Sequence, residues 1–401
     1  MHTDTATADL VDIAIIGGGP VGAALALALR DSDLRVTVLE AGTTQSTRDL
    51  RPVALSYGSR LLLERLGAWE TLTRDTVATA IRQIHVSQRG GFGRAAIGGS
   101  GAAADVGVPE LGYVFDFNDI FSALSKAARA AGSDYREGAR ASALTMDGDY
   151  RRIDYVQAGV PAALRARLVV IADGGAIEGA GLSPPKTIDY AQHALTARVR
   201  STLPHQHTAF ERFTSEGPLA LLPFGAGLHD WALVWTLTPT HAATLLDADA
   251  PTFLAALREA FGTRLGEFSN VTQRACFPLS LRYAAAHGAP GIVTIGNAAQ
   301  TLHPVAGQGF NLGLRDAWEL ARLLRTTPTQ ALGDSECLRR YSAARRIDRR
   351  ATIAVTHGLV RLFSNDFFPL PALRGAGIAA FGSIPPLRDF LARRMIFGAR
   401  G

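Results

Sequence analysis

The chain has 401 residues, 47% hydrophobic and 19% charged, enough for more than one packing unit around a large core. Lys and Arg total 41 against 36 Asp and Glu, a formal charge of +5; so small and scattered an excess argues against nucleic acid and leaves only a weak bias toward anionic surfaces, a membrane leaflet included. Two distant cysteines, Cys276 and Cys337, without a Cys-x-x-Cys pair, exclude a disulfide framework and a cysteine zinc site and fit a reducing, cytoplasmic setting.

Met1 to Leu10 is polar, with neither the basic start nor the apolar core of a signal peptide, and no apolar run reaches the roughly 18 residues that a spanning helix needs. Leu10 to Ile16 reads as a strand buried on both faces. Gly17-Gly18-Gly19-Pro20-Val21-Gly22 follows, then a helix from Ala23 to Arg30 and a second buried strand from Val36 to Glu40: a βαβ opening. A helix is expected over Ser59–Leu66, ended by Gly67, and a strand over Ile84–Ser87. Gly90 to Val108, rich in Gly and Ala, reads as an irregular excursion.

Further along, Asn118 to Ala131 is a helix stopped by Gly132, and Ala141 to Val160 a hairpin turning near Asp147-Gly148. Leu168 to Ile171 is a buried strand leading into Ala172-Asp173-Gly174-Gly175. Between Tyr190 and Trp235 the segments Ala194–Val199, Phe210–Phe213 and Ala232–Trp235 read as an antiparallel sheet. Ile292 to Ile295 returns to the first unit as a strand; helices follow from Gln308 to Arg325 and from Ser335 to Phe363. The tail from Phe367 mixes Phe, Leu, Pro and Gly with arginines. The fold class is α/β in two interleaved lobes: a Rossmann-type unit from 10–75, 115–185 and 285–330, a substrate unit from 76–114 and 186–284, and a helical region over 331–401.

Two loops carry the chemistry. In the first, Gly17 permits the tight turn, Gly19 lets a pyrophosphate approach the backbone, and Gly22 allows close helix–strand packing, while the helix N-terminus offers free N–H groups. Glu40, 18 positions after Gly22, stands where an acid accepts adenosine ribose hydroxyls. Strand, helix, strand and acid together give a dinucleotide site, FAD or NAD by this motif alone. The second loop runs from Gly296-Asn297 through His303-Pro304 and Gly307-Gln308-Gly309 into a helix. N–H groups at such a helix start can stabilise negative charge on a reduced flavin, and Asn297 can hydrogen-bond a ribityl hydroxyl.

These segments, with the Asp173-Gly174 turn between them, resemble the class A flavoprotein aromatic hydroxylases, whose prototype is para-hydroxybenzoate hydroxylase. That family has GxGxxG, Asp-Gly and Gly-Asp motifs in this order. Here Gly-Asn replaces Gly-Asp, followed by Ala-Ala-Gln-Thr-Leu-His-Pro and Gly-Gln-Gly-Phe-Asn-Leu-Gly, a variant similar to the ubiquinone-biosynthesis branch of the 2-octaprenyl-6-methoxyphenol hydroxylase type. Arg51-Pro52-Val53-Ala54-Leu55, Phe210-Glu211-Arg212-Phe213-Thr214 and Asp348 with Ala351-Thr352-Ile353 extend the likeness from Val11 to Phe363.

The resemblance implies a para-hydroxybenzoate-hydroxylase-like fold and bound FAD, with NADH or NADPH and O2 as co-substrates, hydroxylating a polyprenylated phenol through an oxygen adduct at the flavin C4a. It places Gly17, Gly19, Gly22 and Glu40 on the ADP half, Arg51 near the pyrophosphate and flavin edge, and Asp173 beside FAD and the reductant. Asn297 would meet the ribityl chain, with Gly296 beside it among the cofactor-binding residues, and Pro304, Gly307, Gln308 and Gly309 would line the isoalloxazine. Two departures touch reductant handling: Ile177 stands where the family has Ser, with no Arg after it, and the helix at Asn118 lacks an Arg.

Other residues carry plainer readings. His205-x-His207 without a His-Glu-x-x-His motif is a polar strand or loop feature and not a metal site. His303 either structures its loop or handles a proton. Trp231 and Trp235 belong to core or pocket wall. Arg339, Arg340, Arg345, Arg346, Arg349 and Arg350 read as a solvated helix face with Glu336 and Asp348 as partners; docking to an anionic membrane or to other quinone-pathway proteins competes with that reading. Two other functions stay open: action on a different aromatic substrate, and a non-catalytic FAD-bound scaffold.

Overall fold

A computed structural model describes residues 9–43, 49, 51–98, 107–175, 182–284, 288–364 and 370–400. Ile177 and Phe367 lie outside them. Asp9–Ile16 is the centre of the first sheet. Its Ile13, Ala14 and Ile15 are fully buried, as an uninterrupted apolar strand covered on both faces must be. It pairs in parallel with Val36–Glu40 and with Val160–Ile171, which pairs in parallel with Ile292–Thr294; Asp134–Glu137 lies beyond Val36–Glu40.

Parallel pairing puts the carboxyl ends of these strands on one edge. There Gly17 N–H donates to Leu39 O (2.8 Å), Ala172 N–H to Ile16 O (2.7 Å) and Ile295 N–H to Ile171 O (3.0 Å). An open α/β sheet binds its ligand along that edge. The hairpin of Ala139–Asp147 and Tyr150–Gln157 continues the sheet antiparallel to the lower part of Val160–Ile171. Helices Pro20–Leu29 and Gln308–Leu324 pack together at a close crossing, where a Cβ on Gly313 would come within 2.9 Å of Val21.

The second sheet has eight strands in the order Gln300–Thr301, Phe268–Tyr283, Lys186–Ser201, Asp230–Leu237, Pro218–Pro223, Thr208–Phe213, Gln83–Gln88 and Arg94–Gly98. All its pairs are antiparallel except that between Thr208–Phe213 and Gln83–Gln88. Period-2 alternation divides its residues. Leu195, Leu219, Leu221, Trp231, Leu233 and Trp235 pack under helices Pro239–Asp247 and Ala250–Phe261. Ala194, Thr196, Ala220, Leu222 and Val234 face a chamber between the sheets. Trp231 and Trp235 are therefore core.

A three-stranded sheet of Pro52–Ser56, Gly112–Asp116 and Thr79–Ile81 bridges the lobes. Gly112–Asp116 thus straddles the end of the segment read at residues 76–114 and pairs with Pro52–Ser56 of the first unit. Gln300–Thr301, within the segment read as FAD-binding, edges the second sheet.

Two expectations are corrected. Arg94–Gly98, inside the supposed irregular excursion, is a strand paired with Gln83–Gln88. The tail, read as part of a helical region over 331–401, is folded as helices Leu370–Ser383 and Pro385–Phe397, packed against the second sheet and the helix Tyr57–Arg65. The arginine run of helix Ser335–Phe363 is not one solvated face: Arg345 and Arg349 are buried, because acceptors lie in the interior. Arg345 Nε donates to Asp316 Oδ1 (2.7 Å), and its guanidinium also pairs with Asp348 (2.8 Å), which pairs with Arg315 (2.8 Å). The Glu336–Arg339 pair (2.6 Å) does lie on the surface.

Candidate functional site

The chamber has a volume of about 1630 Å³ and runs from the carboxyl edge of the first sheet to the inner face of the second. At its first end, Gly17 has φ +97° and no room for a side chain: a Cβ would lie 2.5 Å from Asp173 N. A Cβ on Gly22 would lie 2.0 Å from Gly17 O, whereas one on Gly19 would meet nothing within 4 Å. Gly19 is therefore glycine for something other than packing.

Glu40 accepts from Gly18 N–H (2.6 Å, Oε2) and from Gly42 N–H (2.7 Å, Oε1), which fixes its carboxylate at the chamber edge with further lone pairs available. Tyr135, invisible to motif reading, donates its hydroxyl to Gly18 O; burial pushes its pKa up to about 12, so it stays a donor. Asp173 lines the chamber and accepts from Gly175 N–H (2.8 Å). Arg51 lines it too, paired with Asp49 (2.6 Å) and set over the rings of Phe117 and Phe277.

The second loop is held from behind. Gly296, with φ +58°, donates its N–H to Asp316 Oδ2 (3.2 Å), and Gln300 Nε2 donates to the same oxygen (2.7 Å). Asp316 is fully buried and paired with Arg345, so the ion network anchors the loop. Asn297 is exposed at the chamber wall. Ala306 (φ +61°) and Gly307 (φ +60°) are both left-handed, a conformation rare for Ala that marks stored local strain.

Asn311 holds that strained turn. Its Nδ2 donates to Gly307 O (2.8 Å) and Ala54 O (3.0 Å); its Oδ1 accepts from Ser56 N–H (2.9 Å) and the Ser59 hydroxyl (2.7 Å). Sequence reading quoted Asn311 without giving it a role; only the fold brings residue 56 beside it. Pro304, Gly307, Gln308 and Gly309 line the chamber.

His303 does not line it, although Leu302 and Pro304 do. The ring is buried, its Nδ1 accepts from Val305 N–H (3.1 Å), and it meets Tyr190 edge-on. Burial holds its pKa down to about 4. This is the geometry of a loop pin, turned away from the space where a proton would be exchanged. His205 and His207 are likewise occupied by backbone: a ring nitrogen of each lies 3.2 Å from a carbonyl oxygen, Gly227 O and Ala80 O. Among the described residues no group of three His, Cys, Asp or Glu could hold a metal.

A dinucleotide fits these residues. Helices Pro20–Leu29 and Gln308–Leu324 begin without a side-chain cap and with no acid in the first turn, and the starts of both line the same chamber. One free N-terminus suits a pyrophosphate, and the other an anionic flavin edge. The volume exceeds the roughly 300–1,000 Å³ of an ordinary ligand site, leaving room for a second molecule.

The sequence matches the FAD binding domain family over residues 10–356. It is 34% identical to ubiquinone hydroxylase UbiL of Rhodospirillum rubrum over 97% of this chain and 90% of that one. With 3-demethoxyubiquinol 3-hydroxylase of Escherichia coli it shares 30% identity over 92% and 94% of the two chains. With mitochondrial ubiquinone biosynthesis monooxygenase COQ6 of Rattus norvegicus it shares 28% over 99% and 93%. In fold it is similar to p-nitrophenol 4-monooxygenase PnpA of Pseudomonas putida, with a TM-score of 0.77 at 19% identity, covering 98% of this chain and all of that one.

Proposed function

The chain belongs to the FAD binding domain family, in the ubiquinone-hydroxylase branch of the flavin-dependent aromatic hydroxylases, and from that premise we propose that it hydroxylates the ring of a polyprenylated phenol of the 2-polyprenyl-6-methoxyphenol type, with NADH or NADPH and O2 as co-substrates. The observation that carries this reading is the continuity of the chamber. The Gly-rich edge that suits FAD opens without a partition into an apolar space. That space is walled by the second sheet and by Leu359, Phe363, Phe381, Leu391 and Met395 of the terminal helices, a lining matched to an isoprenoid tail.

Bound FAD supplies the reduction and oxygen-transfer chemistry. The chain's part is to hold and enclose. Gly19 and the first helix start receive the pyrophosphate, and Glu40 the ribose hydroxyls. The start of helix Gln308–Leu324 stabilises negative charge on the pyrimidine edge, with Asn311 and Asp316 keeping that loop rigid. Helices Leu370–Ser383 and Pro385–Phe397 cover the ring-binding end and keep water from it.

Among the described residues no helix is long and apolar enough to cross a membrane. Ile347, Leu373 and Phe390 both line the chamber and expose more than half of their surface. Arg346, Arg350 and Arg393 are exposed on the same helices. This rim suits peripheral contact with an anionic membrane, from which a lipid-tailed phenol would enter.

The test is turnover by the purified, FAD-loaded protein. Short-chain prenylated methoxyphenols should stimulate NADH or NADPH consumption and yield a hydroxylated ring, whereas untailed benzoates should not. A yellow protein that no phenol stimulates would leave the scaffold reading in its place.

A further inference from the structure

One group in the chamber wall is out of keeping with its surroundings. Glu211 lies on Thr208–Phe213, where its cross-strand partners are Ala220 on one side and Val86 on the other; all three line the chamber. The same wall continues as Ile84, Phe213 and Leu222. Glu211 Oε1 is buried and has no hydrogen-bond partner. The other charged groups lining the chamber are Glu40, Arg51, Arg140, Asp173, Asp348, Arg374 and Arg394, and none pairs with it.

Nothing in the sheet needs a carboxyl at this position. An uncompensated carboxylate in an apolar wall is unfavourable, and such groups persist where chemistry uses them. Burial alone raises the Glu211 pKa to about 7, where a general base works best at neutral pH. Two other buried titratable groups of this region are committed elsewhere: His303 faces away with Nδ1 accepting from Val305 N–H, and Asp348 is paired with Arg315 and Arg345.

Resting on the aromatic-hydroxylase reading above, we propose that Glu211 is the base that takes the proton of the ring hydroxyl from the phenol bound in this chamber. The step is a proton transfer only. The hydroxyl O–H bond breaks, the proton goes to the Glu211 carboxylate, and the electron pair stays on the ring oxygen. The ring that results is more electron-rich and so more open to electrophilic oxygen transfer.

The test compares FAD-loaded wild-type protein with Glu211→Gln, using a 2-methoxyphenol with a short prenyl chain as the probe. Binding is read from the flavin spectrum and hydroxylation from the product, across pH. Wild-type turnover should rise with pH through about 7 and level off. Glu211→Gln should bind the phenol within about threefold and hydroxylate it roughly 100-fold more slowly at neutral pH. Its rate should recover as pH approaches the phenol's own pKa of about 10. Turnover within about twofold of wild type at every pH would overturn the assignment, as would an equal loss at every pH, which a merely structural role would give. In both cases an active wild type leaves the hydroxylase reading standing. If no phenol perturbs either flavin spectrum, that reading fails and this assignment fails with it.

Discussion

Gly19 and Gly22 stand three positions apart in one turn, yet a side chain at each would have different consequences. A Cβ at Gly22 collides with Gly17 O at 2.0 Å, while one at Gly19 enters open space in a backbone conformation that any residue adopts. Gly19→Leu should therefore purify without flavin colour yet melt at the same midpoint as FAD-free wild type. Gly22→Ala should lose stability as well as colour, because backbone must move. Absorbance and a melting curve on both variants check this. These glycines were legible in the sequence because the phosphate-binding turn is local. Tyr135 and Asn311 were not, since their partners lie 117 and 255 residues away.

Glu211 gives a second prediction at this scale, independent of turnover. Its pKa is about 7 in the folded chain against 4.5 when solvated. Between those values the folded state keeps a proton that the unfolded state releases, so stability falls as pH rises through this window, and the full penalty applies above about pH 7. Glu211→Gln should be more stable than wild type above pH 7, by on the order of 3 kcal/mol, and no different below about pH 4. Urea unfolding at the two pH values reads the difference.

Elements were most legible where one periodicity dominates. The parallel strands Asp9–Ile16, Val36–Glu40, Val160–Ile171 and Ile292–Thr294 showed as apolar runs, and the helices starting at Gln308 and Ser335 were read as well; Asp134–Glu137, short and polar, was not. Arg94–Gly98 was hidden because the helix Leu370–Ser383 packs closely over it and selects small residues, which have weak strand propensity: a Cβ on Gly93 would lie 2.0 Å from Gly375 O, and one on Gly382 3.1 Å from Arg94 O. Arg345 was misread for a related reason. Helical i,i+3 spacing shows Glu336 beside Arg339 but cannot show Asp316, which lies on another helix. The close crossing also makes Gly93 a test of the cover. Gly93→Ala should push Leu370–Ser383 off the sheet while leaving the Gly-rich edge intact. FAD content should then stay at wild-type level, and more NADH or NADPH should be consumed per ring hydroxylated, the excess appearing as hydrogen peroxide.

At the scale of the whole molecule, the two lobes each supply half of one chamber, and the terminal helices decide what reaches it from outside. Ile347 and Val355 lie eight residues apart on one face of helix Ser335–Phe363 and are 66% and 49% exposed, with Arg346 and Arg350 beside them. A helix buried against protein would not present this stripe to water, whereas one resting on a leaflet would place the aliphatic groups among acyl chains and the guanidinium groups among phosphates. The electrostatic part is worth about 1 kcal/mol per arginine near an anionic surface. Arg346→Gln with Arg350→Gln should therefore weaken binding to phosphatidylserine-containing vesicles roughly 30-fold in a sedimentation assay. Turnover of a short-chain phenol dissolved in water should be unchanged, because neither side chain lines the chamber. High salt should reproduce the weakening on wild-type protein, since screening acts on the same charges. Binding indifferent to both changes would mean that the substrate reaches the chamber by a route other than the leaflet.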